Sequence, residues 1–91
     1  MADTPMTPDE ALTAERAIDA EATSQRHAAL EQFREQAKAA AQAGQHRVLH
    51  SLYAGYCHTV RAINAAAHEA RMALLPFLPK HHVDVNAATR V

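Results

Sequence analysis

The sequence predicts an all-α protein: a long helical hairpin that associates with itself into a bundle or coiled-coil-like dimer. Three observations carry this expectation. After Pro8 the chain runs to Ala43 with no Gly or Pro and is dominated by Ala, Glu, Gln and Arg, all strong helix formers. A second proline-free stretch, from His46 to Leu75, carries apolar residues at spacings of three and four, the period of an amphipathic helix. Large apolar side chains are also scarce for a chain of 91 residues. A domain of this size with one core gains only about 3–5 kcal/mol unless a metal, a disulfide or a second subunit contributes.

Helix one is expected over residues 8–43, after a short disordered leader at 1–6. Thr7 suits the capping position, Pro8 the first helical position, and Glu10 the place where a capping box wants its carboxylate. Thr23-Ser24 is the weakest point of the stretch, and Ser24 there could cap a second segment, giving a kink. In the later half Ala29, Leu30, Phe33, Ala37, Ala40 and Ala41 form an apolar side that should pack. In the earlier half Ala11, Ile18 and Ala22 share their side with Glu15, Asp19 and Arg26, a weaker seam.

Gly44 is the expected turn, because a left-handed residue commonly ends a helix. Its neighbours lack other turn chemistry, and a glycine inside a helix costs only about 1 kcal/mol, so a single helix running through Gly44 is the alternative. Helix two is expected over 46–75. Leu49, Leu52, Tyr56, Val60, Ile63, Ala67, Ala70 and Leu74 make its core stripe. A second row, His46, His50, Tyr53, Cys57, Arg61, Asn64, His68 and Arg71, runs beside it. Arg47, Ser51, His58, Ala62 and Glu69 should face water. Pro76 and Pro79 end the helix. A single helical domain over 7–78 and a flexible tail over 79–91 complete the expected organisation.

Composition narrows the function. A net charge of -1 does not fit a nucleic-acid coat. Before Gly44 acids outnumber bases, and after it bases outnumber acids, so the two halves attract within a chain or between chains. Cys57 is the one cysteine and cannot form an internal disulfide. No charged start with an apolar stretch reads as a signal peptide, and no apolar run reaches the eighteen or so residues of a membrane span. A reducing, cytoplasmic setting is therefore expected, with no membrane partner.

The candidate chemistry is sparse. His46 and His50 lie one turn apart on one helical face, where two imidazoles can grip a transition metal. Two ligands do not complete a site, since Cys57 is two turns from His50, roughly 10 Å at the helical rise. His81, His82 and Asp84 belong to the tail. The expectation is no metal and no cofactor, with a metal-linked regulator built on His46 and His50 as the alternative. Cys57 and His58 diverge by about 100° on a helix and make no nucleophile and base pair. With no glycine-rich phosphate loop, HExxH or GxSxG motif, the chain reads as a non-enzyme.

Ala40-Ala41-Gln42-Ala43-Gly44 is similar to the alanine-to-glycine step of the DNA-binding helix-turn-helix family. That resemblance implies an apolar residue six positions after the glycine, where this chain has His50. Arg47, Arg61 and Arg71 do not form one phosphate-tracking stripe either, which leaves a DNA-binding regulator as the second alternative. The leading expectation is a protein–protein module, an adaptor, co-chaperone or inhibitor of another protein, of a kind common among phage and mobile-element accessory proteins. Its expected partner or dimer interface comprises Phe33, Leu49, Leu52, Tyr53, Tyr56, Cys57, Val60, Arg61 and Ile63, because Tyr and Arg dominate interface energetics.

Overall fold

The computed structural model describes residues 6–79. The expected leader, apart from Met6, and the expected tail beyond Pro79 lie outside the described residues. Two long helices fold back on each other as a packed antiparallel hairpin, and no strand occurs among the described residues. The first, α1, spans Pro8–Gln42 (35 residues), and the second, α2, spans His46–Leu74 (29 residues). A short 3-10 turn, Leu75–Phe77, follows α2. Both long helices end within one residue of their expected limits.

α1 starts as the sequence chemistry requires. The Glu10 backbone N–H donates to Thr7 Oγ1 at 3.2 Å, and the Thr7 hydroxyl donates to Glu10 Oε1 at 3.1 Å. Asp9 and Glu10 place negative charge in the first turn, where the helix dipole favours it. No second segment begins at Ser24. The helix runs unbroken through Thr23-Ser24, and the Thr23 hydroxyl accepts from Arg26 Nη2 at 3.2 Å instead of capping a new turn.

The end of α1 is set by Gly44. Its φ of 72° places it in the left-handed region. The Gln45 N–H reaches back to the Ala40 carbonyl at 2.8 Å, and the Gly44 N–H to the Ala41 carbonyl at 3.1 Å. Those two bonds are the complete Schellman pattern, which satisfies carbonyls that a helix end would otherwise leave open. The chain therefore turns at Gly44 without help from Asn, Asp, Ser or Pro, and the continuous rod is not formed. α2 opens with less support, since Gln45 supplies no side-chain cap and the first turn holds no acid.

The seam between the helices is built mainly from alanine. Ala11, Ala22, Ala40, Ala67 and Leu74 are buried, whereas among the described residues no large side chain is fully enclosed. Leu30, Phe33, Leu49, Leu52, Tyr56, Val60 and Ile63 are half-buried. The early half of α1, with too few large apolar residues to pack by itself, is tied to α2 by polar reach. Arg26 Nη1 donates to Asn64 Oδ1 at 2.9 Å, and Arg71 Nη1 donates to Asp19 Oδ1 at 3.1 Å.

These bonds give the hairpin two unlike faces. At about 100° per residue, Asp19 and Arg26 on α1 and Tyr53, Asn64 and Arg71 on α2 project to one side of the seam. Ala17, Glu21 and Gln25 on α1 and Ser51, Gly55, Thr59 and Ala66 on α2 project to the other. The first is a polar face laced by cross-helix bonds. The second holds two shallow grooves whose only lining residue charged at neutral pH is Glu21.

Candidate interaction surface

Three of the four aromatic residues collect in the turn-side half of the hairpin, and the fourth, Phe77, lies beyond the far end of α2. Phe33 comes from the packing half of α1, and Tyr53 and Tyr56 are three apart on α2, so all three reach the seam at one level. Phe33 stacks on Tyr56 with ring centroids 5.2 Å apart, and it meets Tyr53 edge-on at 6.0 Å. The two tyrosine rings are 6.4 Å apart. Offset and edge-to-face arrangements at such distances are favourable for aromatic quadrupoles. Each ring limits the motion of the others.

Tyr53 is the outward member of this cluster, with 56% of its surface exposed. Its hydroxyl pKa is raised above the ordinary tyrosine value of 10.0, first by a hydrogen-bonding interaction with the Cys57 thiol and then by the charge that thiol would carry; desolvation and Tyr56 add in the same direction. The physical cause is simple: a hydrogen bond to the neutral phenol and a negative charge beside it both make the phenolate less favourable. Tyr53 thus offers a neutral phenol with a polar tip on a fixed aromatic body. Cys57 itself is a half-buried free thiol one turn along.

The residues expected at an interface divide into two groups. Phe33, Leu49, Leu52, Tyr56, Val60 and Ile63 are half-buried along the seam, where they hold the two helices of one chain together. Tyr53 and Arg61 are exposed, on the polar face and its outer flank, and Cys57 lies between them. Tyr53, Cys57 and Arg61 follow at spacings of four, so they form one continuous edge of α2.

His46 and His50 are both exposed on that same flank near the turn. Among the described residues, no three His, Cys, Asp or Glu side chains come together where they could hold a metal ion. Arg47, Ser51, His58, Ala62 and Glu69, expected to face water, are all exposed.

Sequence reasoning passed over the grooved face. One groove, of about 230 Å³, lies beside Phe33 and Tyr56 and is lined on α2 by Ser51, Leu52, Gly55 and Thr59. The other, of about 340 Å³, lies farther from the turn between Ile18 and Ala22 of α1 and Ile63, Ala66 and Ala70 of α2. Thr59 Oγ1 donates to the Gly55 carbonyl at 3.0 Å, so its hydroxyl is satisfied within the helix and its methyl group is left for contact. The signal was present as small residues repeating every three or four positions, but alanines in a good helix read as filler.

Comparison with protein-family models, curated proteins and solved structures finds no match to this chain. The functional reading rests on the geometry.

Proposed function

We propose that the chain is a non-enzymatic helical interaction module, one that self-associates and binds another protein as an adaptor, co-chaperone or inhibitor. The observation that carries this reading is the aromatic edge on α2. Tyr53 is held by Phe33 and Tyr56 yet exposes 56% of its surface, so a partner can cover a large side chain whose conformational freedom is already restricted. That lowers the ordering cost of association. Arg61, two turns from Tyr53 on the same edge, adds a planar cation suited to a carboxylate or to an aromatic face.

The test is binding with purified components. A partner captured by cross-linking to the wild-type chain is expressed and titrated calorimetrically against wild type, Tyr53→Ala and Arg61→Ala. Hot-spot residues of these types cost about 2 kcal/mol or more on truncation, so each variant is expected to bind at least about tenfold more weakly with its helicity intact. Equal affinity for all three proteins would remove this edge from the function.

A further inference from the structure

The grooved side of the hairpin is unpartnered among the described residues. We propose that it is the self-association surface, covered in solution by the same face of a second copy of the chain about a two-fold axis. This inference rests on the self-associating half of the function proposed above and names the face responsible; it does not depend on the Tyr53 edge, which lies on the opposite side.

Size is the first argument. Over the length shared by α1 and α2, with α2 at 29 residues, the helical rise and ordinary interhelical spacing give a two-helix face on the order of 900 Å². A stable specific interface needs roughly 800 Å² from each partner. The face meets that need in one piece, as an isologous contact requires.

The occupant follows from what the hairpin lacks. With no large side chain fully buried among the described residues, Leu52, Tyr56 and Ile63 keep part of their apolar surface toward these grooves. A partner that arrives only on occasion leaves that surface wet the rest of the time. A second copy is present whenever the chain is. A lipid surface fits poorly, because an interfacial helix surrounds its apolar face with Lys and Arg, and neither residue lines either groove. The one lining residue charged at neutral pH, Glu21, has its carboxylate accepting from Gln25 Nε2 at 3.0 Å along its own helix.

Gly55 supplies an independent observation. It sits in mid-helix, where glycine is unfavourable relative to alanine, and a Cβ built on it meets nothing within 4 Å. Nothing inside the hairpin requires a glycine there. A partner helix crossing close to its backbone does, and the neighbouring Thr59 hydroxyl, which already donates to the Gly55 carbonyl, can be covered without leaving a donor unpaired.

The experiment uses the full chain. Sedimentation equilibrium fixes the oligomeric state of wild type, Gly55→Leu and, as an opposite-flank control, His68→Leu. In parallel, alkylation rates are measured for Ala66→Cys and His68→Cys, each in a Cys57→Ser background, at concentrations above and below the dissociation constant. The expected result is a dimeric wild type, a dimer at least about tenfold weaker in Gly55→Leu and unchanged in His68→Leu. The thiol at position 66 should react at least about tenfold more slowly in the dimer, and the one at 68 at the same rate throughout. A dimer in which position 66 alkylates as fast as 68 and Gly55→Leu has no effect would overturn the grooved face while leaving self-association standing. A wild type that remains monomeric at every concentration would overturn both.

Discussion

Gly44 shows how much one residue decides in this chain. Its positive φ and the two backbone bonds around it convert what would be a long rod into a hairpin. A side chain there costs about 1–2 kcal/mol, because left-handed geometry brings Cβ against the following carbonyl. Gly44→Ala should lower unfolding free energy by that amount in denaturant titration, although a Cβ would find open space. Thermodynamically neutral behaviour would mean that the turn adapts. The turn was legible as one glycine in a long helical pattern; its completeness was not, because the Schellman bonds use backbone groups and leave no mark in flanking residue types. Tyr53 carries a second prediction. Its raised pKa depends first on Cys57, so Cys57→Ala should move the phenolate transition, followed by ultraviolet absorbance, down toward the ordinary tyrosine value. For the sign in stability, a raised folded-state pKa means a contribution fully present below the unfolded tyrosine value and lost as pH rises through the folded one, so the coupling matters only in alkali. His46 and His50 are exposed and hold nothing together within one chain. Removing both imidazoles, as His46→Ala with His50→Ala, should leave helicity and assembly unchanged. Near-stoichiometric zinc in untagged protein, lost in the double variant together with dimerisation, would promote the metal-linked regulator instead.

At the level of elements, the two helices hold each other by different means along their length. Near the turn the aromatic trio and Leu49 and Leu52 supply contact. Farther away, where α1 offers mostly alanine, Arg26 to Asn64 and Asp19 to Arg71 bridge the gap. Such bridges fix alignment more than they add stability, since Asp19 is 52% exposed in its side chain and an exposed pair contributes about 0–1 kcal/mol. The stripe on α2 matters more. Leu52→Asp or Ile63→Asp sets a charge on half-buried seam positions at several kcal/mol, against a total stability not much larger; both should lose most helical circular dichroism. His58→Asp on the exposed side should change little. Wild-type melting in both stripe variants would show that the seam runs elsewhere. The stripe was readable because Leu, Ile, Val and Tyr mark it at helical period. The weak early seam of α1 was also readable from Glu15, Asp19 and Arg26. The reach of Asp19 and Arg26 across to α2 was not, since a side chain's partner 38 or 52 residues away leaves no local pattern.

The described residues form a thin slab, two packed helices side by side and one helix thick. A slab one helix thick has no interior: every residue of the seam is also within reach of one face or the other. That geometry explains why, among the described residues, only alanines and a single leucine are buried, and why the other large apolar residues stop at half-burial or stay exposed. Each fully buried leucine, isoleucine or phenylalanine would contribute about 1.5–3 kcal/mol, so a second layer raises the yield of side chains already present without any new residue. The consequence is measurable without mutation. If folding and association are one process, unfolding releases two chains from one folded particle, and mass action makes the midpoint depend on concentration. A tenfold increase in chain concentration adds about 1.4 kcal/mol to the folded dimer, which for an assembly of this size corresponds to roughly 3–6 °C in the melting temperature. Scans by circular dichroism across a hundredfold range should therefore show a steady rise of about that size per decade. A midpoint that stays fixed over the whole range, with one sharp cooperative transition, would mean that the slab is stable alone and that its half-buried stripe is sufficient.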